Sequence, residues 1–167
     1  MRQQRRTGTM HAMSTRQSLI IHTKNTEETE ALGAQIGSKL RGGEVIELVS
    51  DLGGGKTALT RGIAKGFGSV DRVMSPTFTI SRLYSSGPLQ LAHYDFYRLD
   101  DPGLLRHELE ESFVDERTVT VIEWAQIVKD VLPDKRLTIT IDKTGDDARS
   151  FTIQYPQELK YLVEENK

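Results

Sequence analysis

The stretch that most constrains this chain is "VIELVSDLGGGKTALT", residues 45–60. Val45 to Val49 is a short, mainly apolar run suited to a strand inside a sheet, and Thr57 to Phe67 has helical spacing closed by Gly68. Three glycines, Gly53, Gly54 and Gly55, therefore fall between a strand and a helix, where backbone N–H groups converge and the helix dipole favours anions. A β-carbon there would hold the backbone away from a phosphate. Lys56 would neutralise the terminal phosphates and the Thr57 hydroxyl would bind Mg²⁺. Ser50 departs from the G-x-x-x-x-G-K-[ST] pattern at its first position, where the chain turns out of the strand and a small residue can serve. A glycine-rich turn without a ligand is the plain alternative.

Such a loop needs carboxylates to complete a metal shell and to orient an attacking water. "TVTVIEW" ends a strand at Glu123, and "LAHYDFYR" ends another at Asp95. Both would reach the carboxyl edge of the sheet, where ligands bind in open α/β folds. Taken singly, each is most simply a solvated strand-end acid; as a pair beside the glycine loop they form a candidate site.

Further strands are expected at Leu19–Thr23, Phe78–Tyr84, Leu89–Tyr94, Thr118–Ile122, Leu137–Ile141 and Phe151–Tyr155. A helix is expected from Thr26 to Leu40, with Leu32, Ile36 and Leu40 on one face and Asn25 and Glu28 spaced as a capping box. Asp101 before Pro102 marks another helix start, and Gln157–Glu165 reads as a short amphipathic helix with Leu159, Leu162 and Val163 inward. This alternation implies an α/β sheet covered on both faces and mixed near its edge.

Composition excludes several classes. The 22 basic and 24 acidic side chains balance, so no strong field advertises a nucleic acid, and a chain without cysteine has no thiolate chemistry. His11, His22, His93 and His107 show no metal-ligand spacing. No run approaches the roughly 18 apolar residues of a membrane span, which makes the cytoplasm the expected location. Residues 1–16 are expected to form a disordered basic tail, with contact to RNA as the sharper reading, and residues 17–167 a single domain. A GTPase would show an N-K-x-D guanine reader, which is missing, and "RHELEES" after Asp95 is acidic where a small-molecule kinase usually has an arginine-bearing lid. Such a kinase remains an alternative, as does a non-catalytic module whose surface is shaped by nucleotide.

"DLGGGKT", "SPTFTI", "HYDFYRL" and "VIEW" occur in an order and spacing that resemble the TsaE (YjeE) family, over about Thr26 to Ile141. The resemblance implies a three-layer α/β/α P-loop NTPase fold with a mixed, mostly parallel sheet, binding ATP and Mg²⁺. It further implies association with the TsaB and TsaD proteins, which place threonylcarbamoyl on adenosine 37 of tRNAs reading ANN codons, so that tRNA is met only indirectly. Carried onto this sequence, it puts nucleotide contacts on Asp51, Leu52, Gly53, Gly54, Gly55, Lys56, Thr57 and Ala58, with Trp124 nearby. It makes Thr57 and Glu123 the magnesium ligands and Asp95 the acid that orients water. Thr77 falls in a segment resembling a switch loop that senses the γ-phosphate; an ordinary loop hydroxyl after Pro76 is the simpler role. Arg98 reads equally as a phosphate contact or a surface ion pair.

Overall fold

The computed structural model describes residues 16–71, 73 and 80–164. Seven strands, β1 (Gln17–Thr23), β2 (Val45–Val49), β3 (Ser81–Ser86), β4 (Leu89–Asp95), β5 (Thr118–Glu123), β6 (Leu137–Lys143) and β7 (Arg149–Tyr155), join in one sheet of order β1-β7-β6-β2-β5-β4-β3. The helices are α1 (Thr26–Gly37), α2 (Lys56–Phe67) and α3 (Leu105–Val114), with 3-10 turns at Ala125–Val131 and Gln157–Leu162. The four middle strands, β6, β2, β5 and β4, run parallel. Antiparallel pairs flank them on both sides, β4 with β3, and β6 with β7 and then β1, so the mixing expected near one edge occurs at two.

Side-chain alternation builds two cores on opposite faces of this sheet. Ile46 and Leu48 of β2, Val119 and Val121 of β5, Ile139 of β6 and Ile153 of β7 meet Leu32 and Ile36 of α1 and Leu59 and Ile63 of α2. Val45, Ala92, Tyr94 and Ile122 point the other way, onto Leu109 of α3 and Ala125 and Val128 of the 3-10 turn. The result is an α/β/α arrangement in three layers. The second helical layer stops short: Ser18, Ile20, His22 and Gln154 on β1 and β7 are exposed, so the expectation of a sheet covered on both faces holds for its β2, β5 and β4 part only.

Helices α1 and α2 share core side chains and the Arg61–Glu30 ion pair, and between these their backbones also touch. A β-carbon at Gly37 would lie 2.1 Å from the Ile63 carbonyl oxygen, and one at Gly62 would lie 2.1 Å from that of Glu30. Gly33 and Gly66, four residues from these in their respective helices, approach the facing backbone likewise, at 2.4 Å from the Leu59 carbonyl oxygen and 2.1 Å from that of Ala34. This contact fixes α2, and with it the glycine loop at its N-terminus, against the rest of the layer.

Boundaries differ from expectation where local hydrogen bonds decide them. Asn25 Oδ1 accepts the Glu28 N–H at 2.8 Å, as a capping box requires, but the Glu28 carboxylate reaches back to the Lys24 N–H at 2.8 Å, one residue beyond the usual partner. Helix α1 closes at Gly37 instead of Leu40, although Leu40 stays buried. Asp101 caps a turn, accepting the Gly103 N–H at 2.9 Å, and α3 begins only at Leu105. The C-terminal segment is a 3-10 turn with Leu159 and Leu162 inward, too short for the helix expected there. Strand β3 starts at Ser81; the expected strand start at residues 78 and 79 lies outside the described residues, as does the tail over residues 1–15. Arg16 already belongs to the folded part, donating to the Arg136 carbonyl at 2.9 Å and to Thr138 Oγ1 at 3.0 Å.

Candidate functional site

Strand β2 hands the chain to the loop 50–55, which turns back into α2 through two glycines in the left-handed region, Gly53 (φ 72°) and Gly55 (φ 112°). Gly55 is the N-cap of α2 and supplies no side chain to its first amides, and the first turn carries no acidic residue. The N–H donors and the positive end of the helix dipole are thus left for an external anion. The Lys56 ammonium folds over this loop, donating to the Ser50 carbonyl (3.1 Å), Ser50 Oγ (2.8 Å) and the Asp51 carbonyl (3.0 Å). Arg149 of β7 braces the loop from outside, its Nε donating to the Gly54 carbonyl at 2.8 Å.

The register of the parallel pair β4 and β5 sets Asp95 beside Glu123, so both expected acids emerge together at the carboxyl edge. Glu123 is 4% exposed and bonded at 2.9 Å to Nε2 of His93, itself 1% exposed. His93 lies two residues before Asp95 on β4, on the same strand face, and its Nδ1 makes no hydrogen bond. A carboxylate buried with a directional donor has few orientations open to it, and His93 therefore aims Glu123. Burial raises the Asp95 carboxyl above the ordinary aspartate range, opposed by the Tyr97 N–H it accepts and reinforced by the charge of Glu123. Burial also lowers the Lys56 ammonium from its ordinary value, against the pull of Glu123, Asp95 and Asp51.

A cleft of about 430 Å³ joins these groups; Leu52 to Ala58 form one wall, and Asp95, Tyr97, Arg98, Glu123 and Trp124 the other, with Thr26 and Arg61 at its margin. Trp124 stacks obliquely on Tyr97 with ring centroids 4.9 Å apart, and the Lys56 ammonium lies 4.6 Å from the centre of the indole. Ile80, Arg98 and Trp124 are the non-glycine residues with positive φ among those described, at 53°, 77° and 56°. Arg98 and Trp124 line this cleft, and Ile80 accepts the Asp95 N–H at 2.8 Å. Strained backbone gathered at one place is what a preorganised site stores.

Of the residues singled out in the sequence, Leu52, Gly53, Gly54, Gly55, Lys56, Thr57, Ala58, Asp95, Glu123 and Trp124 meet in this cleft. Asp51 stands apart, exposed, contributing its carbonyl to Lys56. Thr77 lies outside the described residues. His93, Tyr97, Arg61 and Arg149 were not read as site residues. The period of two along "HYD" carried the signal for His93, whereas nothing local in the sequence ties Arg149 to a loop some 95 positions earlier.

Among the described residues no three His, Cys, Asp or Glu side chains cluster as a metal site. The Thr57 hydroxyl at the N-terminus of α2 and the carboxylates of Asp95 and Glu123 suit instead a hard cation that takes its remaining ligands from water and phosphate, as Mg²⁺ does.

A sequence model of the family described as "Threonylcarbamoyl adenosine biosynthesis protein TsaE" matches residues 23–151. The chain is 41% identical over 134 residues to the tRNA threonylcarbamoyladenosine biosynthesis protein TsaE of Bacillus subtilis, covering 78% of this chain and 81% of the relative. It is 39% identical over 132 residues to the protein of the same name from Streptomyces coelicolor, covering 73% and 86%. Among solved structures, the crystal structure of Bacillus subtilis YdiB superposes with a TM-score of 0.73 at 34% identity, covering 89% of this chain and 93% of that one.

Proposed function

The chain belongs to the TsaE family of threonylcarbamoyladenosine biosynthesis proteins, and from that premise we propose that it is the ATP-binding and ATP-hydrolysing component of this tRNA modification. The observation that carries the reading is the uncapped N-terminus of α2, with Lys56 in its first turn, facing Asp95 and Glu123 across one cleft. In this reading the loop amides of Gly53 to Ala58 cradle the phosphates, and Lys56 offsets the charge of the β- and γ-groups. Thr57 and Glu123, the latter aimed by His93, hold Mg²⁺. When bound, the ion neutralises charge that builds on the phosphate oxygens. Asp95 orients the attacking water, and a carboxyl with a raised pKa is the better proton acceptor in that role. Trp124 and Tyr97 shut the cleft beside Lys56.

The proposed partners are TsaB and TsaD, with tRNA engaged through them, and the proposed cycle is one in which ATP holds one state of the segment containing Thr77 and hydrolysis releases it, resetting the transferase. The proposed place of action is the cytoplasm; no helix of the described residues is long and apolar enough to cross a membrane.

The test is made in the cell. Depleting the protein should lower threonylcarbamoyladenosine in bulk tRNA, measured by mass spectrometry of nucleosides, and a Lys56→Ala copy should fold but fail to restore it. Normal modification after complete depletion would discard the proposed function. Phosphate release by purified protein, alone and with TsaB and TsaD, tests the catalytic part separately: turnover that rises with the partners is expected, and a phosphorylated small molecule as product would point to a kinase.

A further inference from the structure

Ser50, the residue that breaks the loop pattern, is bonded directly to the loop lysine. An ammonium group has three N–H donors, and in Lys56 all three are engaged: two on the carbonyls of Ser50 and Asp51, the third on Ser50 Oγ at 2.8 Å, the shortest of the set. Any residue at positions 50 and 51 supplies the carbonyls. The third acceptor is a side-chain oxygen at position 50, which neither glycine nor alanine has. The Ser50 hydroxyl hydrogen is itself committed to the Asp51 carbonyl at 2.9 Å, which turns an oxygen lone pair toward the lysine.

Position 54 makes room for this arrangement. A β-carbon on Gly54 would lie 2.4 Å from Ser50 Oγ and 2.8 Å from Ser50 Cβ, so the serine side chain occupies the space that a larger residue at 54 would fill. Gly54 has no positive φ that would itself demand glycine. Ser50 and Gly54 thus form a matched pair within the loop.

We propose that the Ser50 hydroxyl competes with a phosphate oxygen for the Lys56 ammonium, and so lowers the affinity for ATP. The proposal rests on the nucleotide site described above. With glycine or alanine at position 50, one lysine donor would be left to water in the open cleft; with serine, a phosphate oxygen must displace an internal acceptor that the loop already holds in place. A ligand gains only the difference between its own bond to the ammonium and the one it replaces.

Calorimetric titration of the full chain with ATP, ADP and AMP decides the matter. Ser50→Ala should bind ATP about fivefold more tightly than the parent, with AMP, which lacks the β- and γ-phosphates, unchanged. In a Lys56→Ala background the same substitution should have no effect, because the interaction it removes is with the lysine. Equal or weaker ATP binding by Ser50→Ala overturns the proposal, as does a gain that persists without Lys56 or extends equally to AMP. If ATP binds parent and Lys56→Ala alike, the phosphate assignment itself falls and the proposal with it. Parallel circular dichroism spectra establish that the variants are folded.

Discussion

A β-carbon placed on Gly53 would meet nothing within 4 Å, whereas one on Gly62 would lie 2.1 Å from a carbonyl oxygen of α1. Both residues lack a side chain, but at Gly53 the space opens onto the cleft, while at Gly62 it is already filled by the neighbouring backbone. Gly54 is of the second kind although it sits in the loop, its space taken by Ser50. The glycines of the loop and of the α1–α2 contact therefore divide by what they meet and not by where they fall in the sequence. In the proposed reading the phosphate cradle draws on the open kind and the helix packing on the filled kind, and the α1–α2 contact links them by fixing the helix at whose N-terminus the loop sits.

That division is broken most directly at Gly62. Gly62→Ala forces the α1 and α2 backbones apart and should cost about 3 kcal/mol, lowering the melting temperature by roughly 8 °C in calorimetry. An unchanged melting temperature would mean that the helices slide apart freely and that the close approach carries no energy. On the ligand side, Glu123→Gln keeps shape and burial but removes the charge proposed to hold the metal. ATP turnover in the complete assembly should drop about 100-fold, or about 2.7 kcal/mol, with nucleotide still bound. Gly53→Ala tests the open kind of glycine. It should cost only the left-handed strain of about 1 kcal/mol, and a loss as large as that at Gly62 would erase the distinction.

The smallest effect is expected to run in the stabilising direction. Because the folded-state pKa of Asp95 is raised, this group contributes stability that is fully present below its unfolded pKa and is lost as pH rises through the folded value. At neutral pH the charged form is therefore a cost, which Asp95→Asn removes while keeping the oxygen that accepts the Tyr97 N–H. The variant should melt about 1–2 °C higher than the parent at pH 7, a difference that closes on acidification, and it should lose turnover. A lower melting temperature at pH 7 would show that Asp95 is held by attraction to Lys56 and His93.

How much of this was legible in the sequence follows the range of each interaction. Strand β2, the Gly68 cap and the acids at the ends of β4 and β5 depend on short-range periodicity and punctuation, and all stand where the sequence put them. The register that sets Asp95 beside Glu123 was foreseeable because both strands end at the same edge of a parallel sheet. The start of α3 was misplaced by the Asp101 side chain, which satisfies a turn amide before the helix begins. Two features could not be read locally. The partial cover of the second sheet face depends on how far α3 and residues 125–131 extend over it. The Arg149 brace depends on a strand distant in sequence lying beside the loop. Gly33–Gly37 and Gly62–Gly66 did carry a four-residue spacing, but the apolar stripe of Leu32 and Ile36 gave a sufficient account of α1 without them.

If Lys56 and the first turn of α2 form a phosphate site, titrating ATP calorimetrically into the parent protein and Lys56→Ala will show at least a tenfold loss of affinity in the variant, about 1.4 kcal/mol, with an unchanged circular dichroism spectrum. Equal affinity in the two proteins would mean that Lys56 does not meet the phosphates.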